Sequence, residues 1–428
     1  MPSPPLNRLL VLSNGHGEDL IALRLIEALR RRRPDLEVAV LPLVGLGQAY
    51  AGAEARGLLQ RVGKRRQLPS GGFSNQSLGG LLRDLAAGLP LLSWRQWRLV
   101  RRWGRQGDPV LAVGDLLPLV LAWAAGGPYG FIGTPKSDYT WATPPPPGWR
   151  GQPWDLLADA YHRRKGSEWD PWEWALMDRR RCRLVALRDQ LTARGLRRHG
   201  VEALAAGNPM MDGLAQQSPP AWLAADGLGP LLLLPGSRLP EALANSQRLL
   251  AALGALAEHW SPKPLTALLA SGERPSAQEL APLLAAAGFW AEELSPAAEA
   301  CGAVACWRRQ RLQLLIGPGC FQRWAPWCSG GLATAGTATE QLVGLGIPAL
   351  SIPGPGPQFQ AGFARRQSRL LGGAVLPCRT PLAAAQQLAQ LLDDPERRRR
   401  LGSIGRARMG GAGASERLAA LIEQRLLG

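Results

Sequence analysis

The feature that most constrains this chain is a repeated change of period along it. Short, nearly continuous apolar runs give way to glycine-containing loops and then to segments whose apolar residues recur at helical spacing. Residues 9–13 lead into Asn14-Gly15-His16-Gly17-Glu18-Asp19, after which Ile21, Leu25, Ala28 and Leu29 fall on one helical face. Arg30, Arg31, Arg32 and Arg33 occupy the last turn and Pro34 stops it, as the helix dipole and proline sterics favour. A second apolar run, 38–43, completes a β-loop-α-β unit. Similar runs recur at 110–114, 130–132, 184–187, 231–234, 265–270, 312–316 and 348–352. Strands buried on both faces and separated by helices build parallel sheets, so the pattern predicts an α/β chain.

At 428 residues the chain is long enough for two or three domains. Turn and linker residues, Gly207-Asn208-Pro209-Met210-Met211-Asp212-Gly213 and then Gln216-Gln217-Ser218-Pro219-Pro220, mark the boundary. The expectation is a first Rossmann-like lobe over 1–215 and a second over 222–428, with the last helix free to return to the first lobe. Prolines 144–147 form a stiff segment, and the Trp-rich stretch after it (Trp149, Trp154, Trp169, Trp172, Trp174) reads as an insertion between strands.

Fifty Lys and Arg against 33 Asp and Glu give a net charge of +17. Such a balance favours polyanions: nucleic acid, anionic lipid or phosphorylated ligands. Only four of the fifty are Lys, so part of the excess is a compositional preference for Arg. The six Cys form no Cys-x-x-Cys, and four His supply no zinc spacing, so neither a disulfide scaffold nor a metal site is expected. The N-terminus lacks the order of a signal peptide, and the longest apolar stretch, 110–127, is interrupted by Asp115 and Pro118. A cytoplasmic protein, soluble or peripheral at a membrane, is expected.

Three glycine loops carry the chemistry. In the first, small residues between a strand and a helix N-terminus let a ligand reach the backbone, whose free N–H groups favour an anion. It is not Gly-x-Gly-x-x-Gly, which argues against a nicotinamide cofactor. His16 or Asp19 is placed there as a general base, or Asp19 or Glu18 serves as a helix cap with His16 a loop residue. The second loop is Pro235-Gly236-Ser237-Arg238 with Glu241 three residues on. Gly236 permits close approach, Ser237 offers a hydroxyl and Arg238 a planar fork for phosphate oxygens, the alternative being an ordinary strand-to-helix turn. The third, Gly336-Thr337-Ala338-Thr339-Glu340, combines small and hydroxyl residues at a helix start with a carboxylate one turn in, suited to a phosphate and a ribose. Capping by Thr337 or Thr339 is the alternative there.

Taken in order, these motifs resemble lipid A disaccharide synthase, a GT-B glycosyltransferase. Pro235-Gly236-Ser237-Arg238-x-x-Glu241 is similar to the Pro-Gly-Ser-Arg-x-x-Glu that opens that family's second lobe. Gly336-Thr337-Ala338-Thr339-Glu340 resembles its Ser-Gly-Thr-Ala-Thr-x-Glu region. Gly207-Asn208-Pro209 stands where the family has Gly-His-Pro, Glu18-Asp19-Leu20 where Gly-Asp-Leu opens the first helix, and Gly114-Asp115 where an aspartate follows a strand. Two departures stand out. Pro118 and Leu119 occupy the neighbourhood of the family's second aspartate, and its Pro-Asn segment has no counterpart. Instead, Gly354-Pro355-Gly356-Pro357-Gln358-Phe359-Gln360 is closer to the Gln-containing donor loop of peptidoglycan GT-B transferases, whose glycine-loop histidine His16 also resembles.

The resemblance implies a GT-B architecture, two Rossmann-like lobes with parallel sheets flanking a central cleft. It implies a UDP-sugar co-substrate on the second lobe, a lipid-linked acceptor on the first, and no metal or other cofactor. Gly236, Ser237 and Arg238 would approach the diphosphate, Gly336, Thr337 and Ala338 would cradle it, Glu340 would lie near the ribose and Gln358 would sit in the donor loop. Asp115, His16 and Asp19 are the catalytic candidates. The sugar expected is of the N-acetylglucosamine type.

Residues 78–92, then Ser93 to Arg105, mix apolar, Trp and Arg side chains in the manner of an anionic membrane interface. Ten of 16 Trp lie between Trp94 and Trp174, and the first 214 residues carry 30 basic against 19 acidic side chains. A peripheral protein at the inner face of a membrane is the expectation, with a homodimer allowed; the alternative is that many of these Trp are core and the Arg a solvated rim. A nucleic-acid partner is not expected, because no basic tail or Arg–aromatic recognition motif is present. A UDP-sugar epimerase on the same fold and a non-catalytic nucleotide- or nucleic-acid-binding protein are the competing readings.

Overall fold

In a computed structural model, the structure describes residues 6–63, 89–214, 217–223, 228–259, 264–356 and 359–428. All nine apolar runs form strands, with ends within two residues of those expected. The chain divides into two compact units. The described parts of Met1–Asp138, Lys165–Asp212 and Ala412–Gly428 form the first, and those of Tyr139–Arg164 and Gly213–Gly411 the second.

Among the described residues, the first unit's sheet is built from β1 (Arg8–Ser13), β2 (Glu37–Pro42), β3 (Gln60–Arg61), β4 (Val110–Gly114), β5 (Tyr129–Gly133), β6 (Cys182–Leu187) and β7 (Ala203–Ala205). Its order is β3-β2-β1-β4-β5-β6-β7, with every neighbouring pair parallel. Leucine, valine and isoleucine fill both faces, as strands covered by helices on two sides require. The chain builds outward from β1 to β3 and then returns to build the other way from β4. The loops after β1 and β4 therefore meet at the point where strand order reverses, the place where open α/β sheets bind ligands.

The second unit repeats the plan with β8 (Leu231–Leu234), β9 (Leu265–Leu269), β10 (Trp290–Glu292), β11 (Ala305–Arg309), β12 (Leu312–Ile316), β13 (Gly330–Ala333), β14 (Ala349–Ser351) and β15 (Val375–Pro377). The order is β10-β11-β12-β9-β8-β13-β14-β15. Here β10–β11 and β11–β12 are antiparallel, so one edge departs from the all-parallel sheet expected; a hairpin turn with Gln310 at φ 53° reverses the chain between β11 and β12. The reversal point lies between β8 and β13, beneath the loops that carry Gly236 and Gly336.

The last helix, Ala414–Ile422, packs on the first unit. Asp212, at the end of the linker motif, accepts hydrogen bonds from the amides of Gly413 (2.5 Å), Ala414 (3.2 Å) and Ser415 (2.7 Å), seating the helix start. Leu418, Ala419, Ile422, Leu426 and Leu427 then join the core beneath helix His16–Arg32.

The 1–215 boundary needs one correction. Tyr139–Arg164 belongs to the second unit, because arginines of that unit hold it. Arg369, almost wholly buried, donates to the carbonyls of Thr143 (2.7 Å) and Trp141 (3.2 Å) and pairs with Asp159 at 2.8 Å. Arg365 pairs with Asp155 at 2.6 Å, and Arg379 lies 5.1 Å over the Trp149 ring. Removing one partner of a buried pair strands the other charge, so Arg369→Ala is expected to cost the second unit about 3 kcal/mol. A urea titration read on that unit's transition checks this; an unshifted midpoint would contradict it.

Candidate active-site loops

In the first unit, Gly15 takes φ +107° at the N-cap of helix His16–Arg32 and turns the chain out of β1. This places Glu18 and Asp19 in the first helical turn. Asp19 is buried and accepts from Ser13 Oγ at 2.6 Å, which in turn accepts from Tyr50 Oη at 2.8 Å. Burial pushes its carboxyl up to about 6, with the Ser13 bond pulling the other way. Asp115 caps helix Leu116–Ala124, its Oδ1 accepting from Leu117 N at 3.1 Å and from Asn14 Nδ2 at 2.8 Å. The Asn14 bond ties the loop after β1 to the loop after β4. His16 is exposed at the helix start.

Glu18 stands among these groups. Gly114, with φ +132°, leaves room for it: a Cβ there would lie 3.3 Å from Glu18 Cγ and 3.6 Å from Asn14 Cβ. Burial raises the Glu18 carboxyl to about 7; its backbone amide bond opposes this, the charges of Asp115 and Asp19 add to it, and the Thr134 hydroxyl opposes it. A carboxyl poised near neutrality beside a ligand-binding switch point has the properties of a general base. From the sequence alone Glu18 reads only as a cap, and the one signal for more is a second carboxylate inside the glycine loop.

In the second unit, Gly236 at φ +91° follows β8, with Ser237 and Arg238 exposed beyond it. The structure gives Glu241 a different task from the residues before it. Its Oε1 accepts from Phe359 N at 2.8 Å, and a Cβ on Gly356 would come within 2.7 Å of its carboxyl. It thereby anchors the loop after β14, which also closes on itself through Gly354 N to Phe359 O at 2.9 Å. Gln358, in this loop, lies outside the described residues. The third loop ends at Gly336, the N-cap of helix Thr337–Gly344, whose first turn holds Thr337, Ala338 and Glu340. Thr339 does not cap: its Oγ1 donates back to Ala335 O at 2.6 Å. Gln367, buried in the helix Ala361–Leu370, donates Nε2 to Ala335 O (3.1 Å) and Gly336 O (3.2 Å). It fixes the loop from behind, and neither loop chemistry nor spacing pointed to it. A Cβ on Gly272, after β9, would meet Ser237 Cβ at 3.1 Å. Four loops of one sheet edge thus gather around the open N-terminus of helix Thr337–Gly344, where unpaired amides and the helix dipole favour an anion.

Among the described residues no group of three or more His, Cys, Asp or Glu is arranged to hold a metal ion. No helix among them is long and apolar enough to cross a membrane. The Trp–Arg stretch forms helix Leu89–Arg105; residues 78–88 of it lie outside the described residues. Leu91 and Trp94 are exposed, Arg98 lies 4.7 Å over Trp94, and Arg101 lies 5.3 Å over Trp97. Beside this helix is a surface cavity of about 370 Å³ lined by Trp97, Arg101, Arg105, Trp123 and Arg181, with no carboxylate in its wall.

No family model and no curated protein matches the chain. Solved structures do. S. aureus MnaA, in a co-structure with UDP, is 14% identical with a TM-score of 0.58, over 98% of this chain and 97% of that one. Acinetobacter baumannii MurG is 15% identical with a TM-score of 0.55, over 98% and 99%. CalG4, the calicheamicin glycosyltransferase, is 15% identical with a TM-score of 0.55, over 98% of each chain. Identities this low speak for architecture alone. The fold is of the GT-B type, with two Rossmann-like lobes.

Proposed function

We propose that the protein is a glycosyltransferase that moves a sugar of the N-acetylglucosamine type from a UDP-sugar to a lipid-linked acceptor, in the manner of lipid A disaccharide synthase. The observation that carries this reading is that each unit places a glycine loop with chemically competent neighbours at the reversal point of its own sheet. The second unit offers anion-binding elements and the first offers carboxylates, which are the two halves such a transfer needs. On this reading Gly236, Ser237, Arg238 and the helix start at Gly336, Thr337 and Ala338 neutralise the departing diphosphate. Glu340 holds the ribose, and Gln358 contributes to donor binding. Glu18 takes the proton of the acceptor hydroxyl, while burial, aided by the charges of Asp115 and Asp19, keeps its carboxyl basic and His16 lines the approach. No metal or further cofactor is needed. The UDP in the MnaA co-structure supports a uridine diphosphate at this fold.

The acceptor's lipid character is supported by helix Leu89–Arg105 and its arginine-lined cavity, features suited to the inner, anionic face of a membrane. Thermal-shift screening against UDP, GDP and their sugars tests the donor. At about a hundredfold excess over Kd, UDP is expected to raise the melting temperature by roughly 5–10 °C, and absence of any nucleotide shift would remove the donor assignment. Incubation of UDP-N-acetylglucosamine alone then separates transfer from epimerisation. An epimerised nucleotide sugar would favour the epimerase reading, and labelled lipid formed only with added membrane extract would favour transfer.

A further inference from the structure

Helix Pro153–Lys165 inverts the usual arrangement of a surface helix, which buries its apolar stripe and exposes its charges. None of its residues is fully buried, and its half-buried positions include Asp155, Asp159 and His162, at spacings of four and three. The two aspartates are ion-paired to Arg365 and Arg369 of the same unit. Trp154 (67% exposed), Leu157 (72%) and Tyr161, again at three and four, form the outward stripe, with Leu156 beside it. Arg163 and Arg164 are exposed at the end of the helix. The carboxylates of this helix are thus all turned inward and satisfied, leaving a face that is aromatic, aliphatic and cationic.

We infer that this face is a membrane-contact surface of the second unit, lying in the headgroup region of an anionic bilayer. Trp and Tyr suit the boundary between acyl chains and headgroups, and arginines reach anionic phosphates from the same depth. The charge decides the occupant: a face with two arginines and no outward carboxylate complements an anionic lipid surface. The inference rests on the reading above only in taking a membrane as the setting. It is independent of the donor and of helix Leu89–Arg105.

The test is flotation of the full chain with vesicles of phosphatidylcholine alone or containing phosphatidylglycerol. The triple variant Trp154→Ser/Leu157→Ser/Tyr161→Ser is compared with the wild type and with Trp94→Ser. The triple variant is expected to lose about tenfold or more of its partitioning to anionic vesicles, while keeping the wild-type thermal response to UDP. Arg163→Glu/Arg164→Glu is expected to weaken binding similarly without touching the apolar stripe, which guards against a folding defect in the first variant. Quenching by brominated lipid, read as wild type minus Trp154→Phe, is expected to place that indole at headgroup depth. Unchanged partitioning in both variants would overturn the inference. So would sedimentation showing that the wild type self-associates and the triple variant does not, since a second copy would then cover the face. A retained UDP shift in either case leaves the donor reading standing, and a lost UDP shift with intact flotation does the reverse.

Discussion

Glu18→Gln is expected to lower kcat by at least about 100-fold with little change in the KM for the nucleotide sugar, the range found when a positioned general base is removed. The substitution is nearly isosteric and keeps hydrogen-bonding capacity, so the loop between Gly15 and Asp19 should stay in place. The pH profile gives a second, sharper readout. Because burial raises this carboxyl to about 7, wild-type kcat/KM should rise with pH through neutrality as Glu18 loses its proton, and the variant should lack that limb. Stability moves the opposite way. The folded state holds the proton more tightly than the unfolded chain, so the group's contribution is greatest below its ordinary value of 4.5 and fades as pH rises to about 7. That loss is of order 3 kcal/mol, and Glu18→Gln should flatten it. Wild-type kcat in Glu18→Gln, together with a collapse in Asp115→Asn, would move the base to Asp115.

Arg238→Ala is expected to weaken UDP binding by roughly 10- to 100-fold, the span of a charge-assisted hydrogen bond to a phosphate. Arg238 is exposed at the end of the Gly236 loop, where a side-chain interaction contributes about 1 kcal/mol or less, so its removal should shift the melting temperature of the free protein by no more than a few degrees. Arg238→Lys should recover part of the affinity, since it restores charge but not the planar fork. Calorimetry showing unchanged UDP affinity in Arg238→Ala would exclude this residue from the donor site.

Much of this architecture is legible in the sequence because period and punctuation agree. A run such as 231–234, four leucines ended by Pro235-Gly236, has few alternatives to a buried strand. Strand β13 was not legible for an equally local reason. Gly330 and Gly331 have poor strand propensity, yet a Cβ at Gly331 would come within 2.7 Å of Leu342 and 3.2 Å of the Leu232 carbonyl, so the sheet takes glycine there for its size. The membership of Tyr139–Arg164 was hidden as well, because Asp155–Arg365 and Asp159–Arg369 are contacts across some 210 residues of sequence. At the candidate site, the glycine loops announced themselves, whereas Glu18 and Gln367 did not. Glu18 is set apart by what surrounds it, above all by its burial beside Asp115, and Gln367 by two backbone carbonyls it meets only after folding.

The seating of the last helix by Asp212 has a consequence for how this chain is made. The core beneath helix His16–Arg32 is completed by Leu418, Ile422, Leu426 and Leu427, and Leu6 N donates to Leu427 O at 3.1 Å. In vectorial synthesis the residues that complete this flank of the first unit are therefore translated after most of the second. The second unit, most of which lies within Gly213–Gly411, has all its parts before them. The unit whose first strands come earliest in this sequence is thus the one whose core draws on the latest residues.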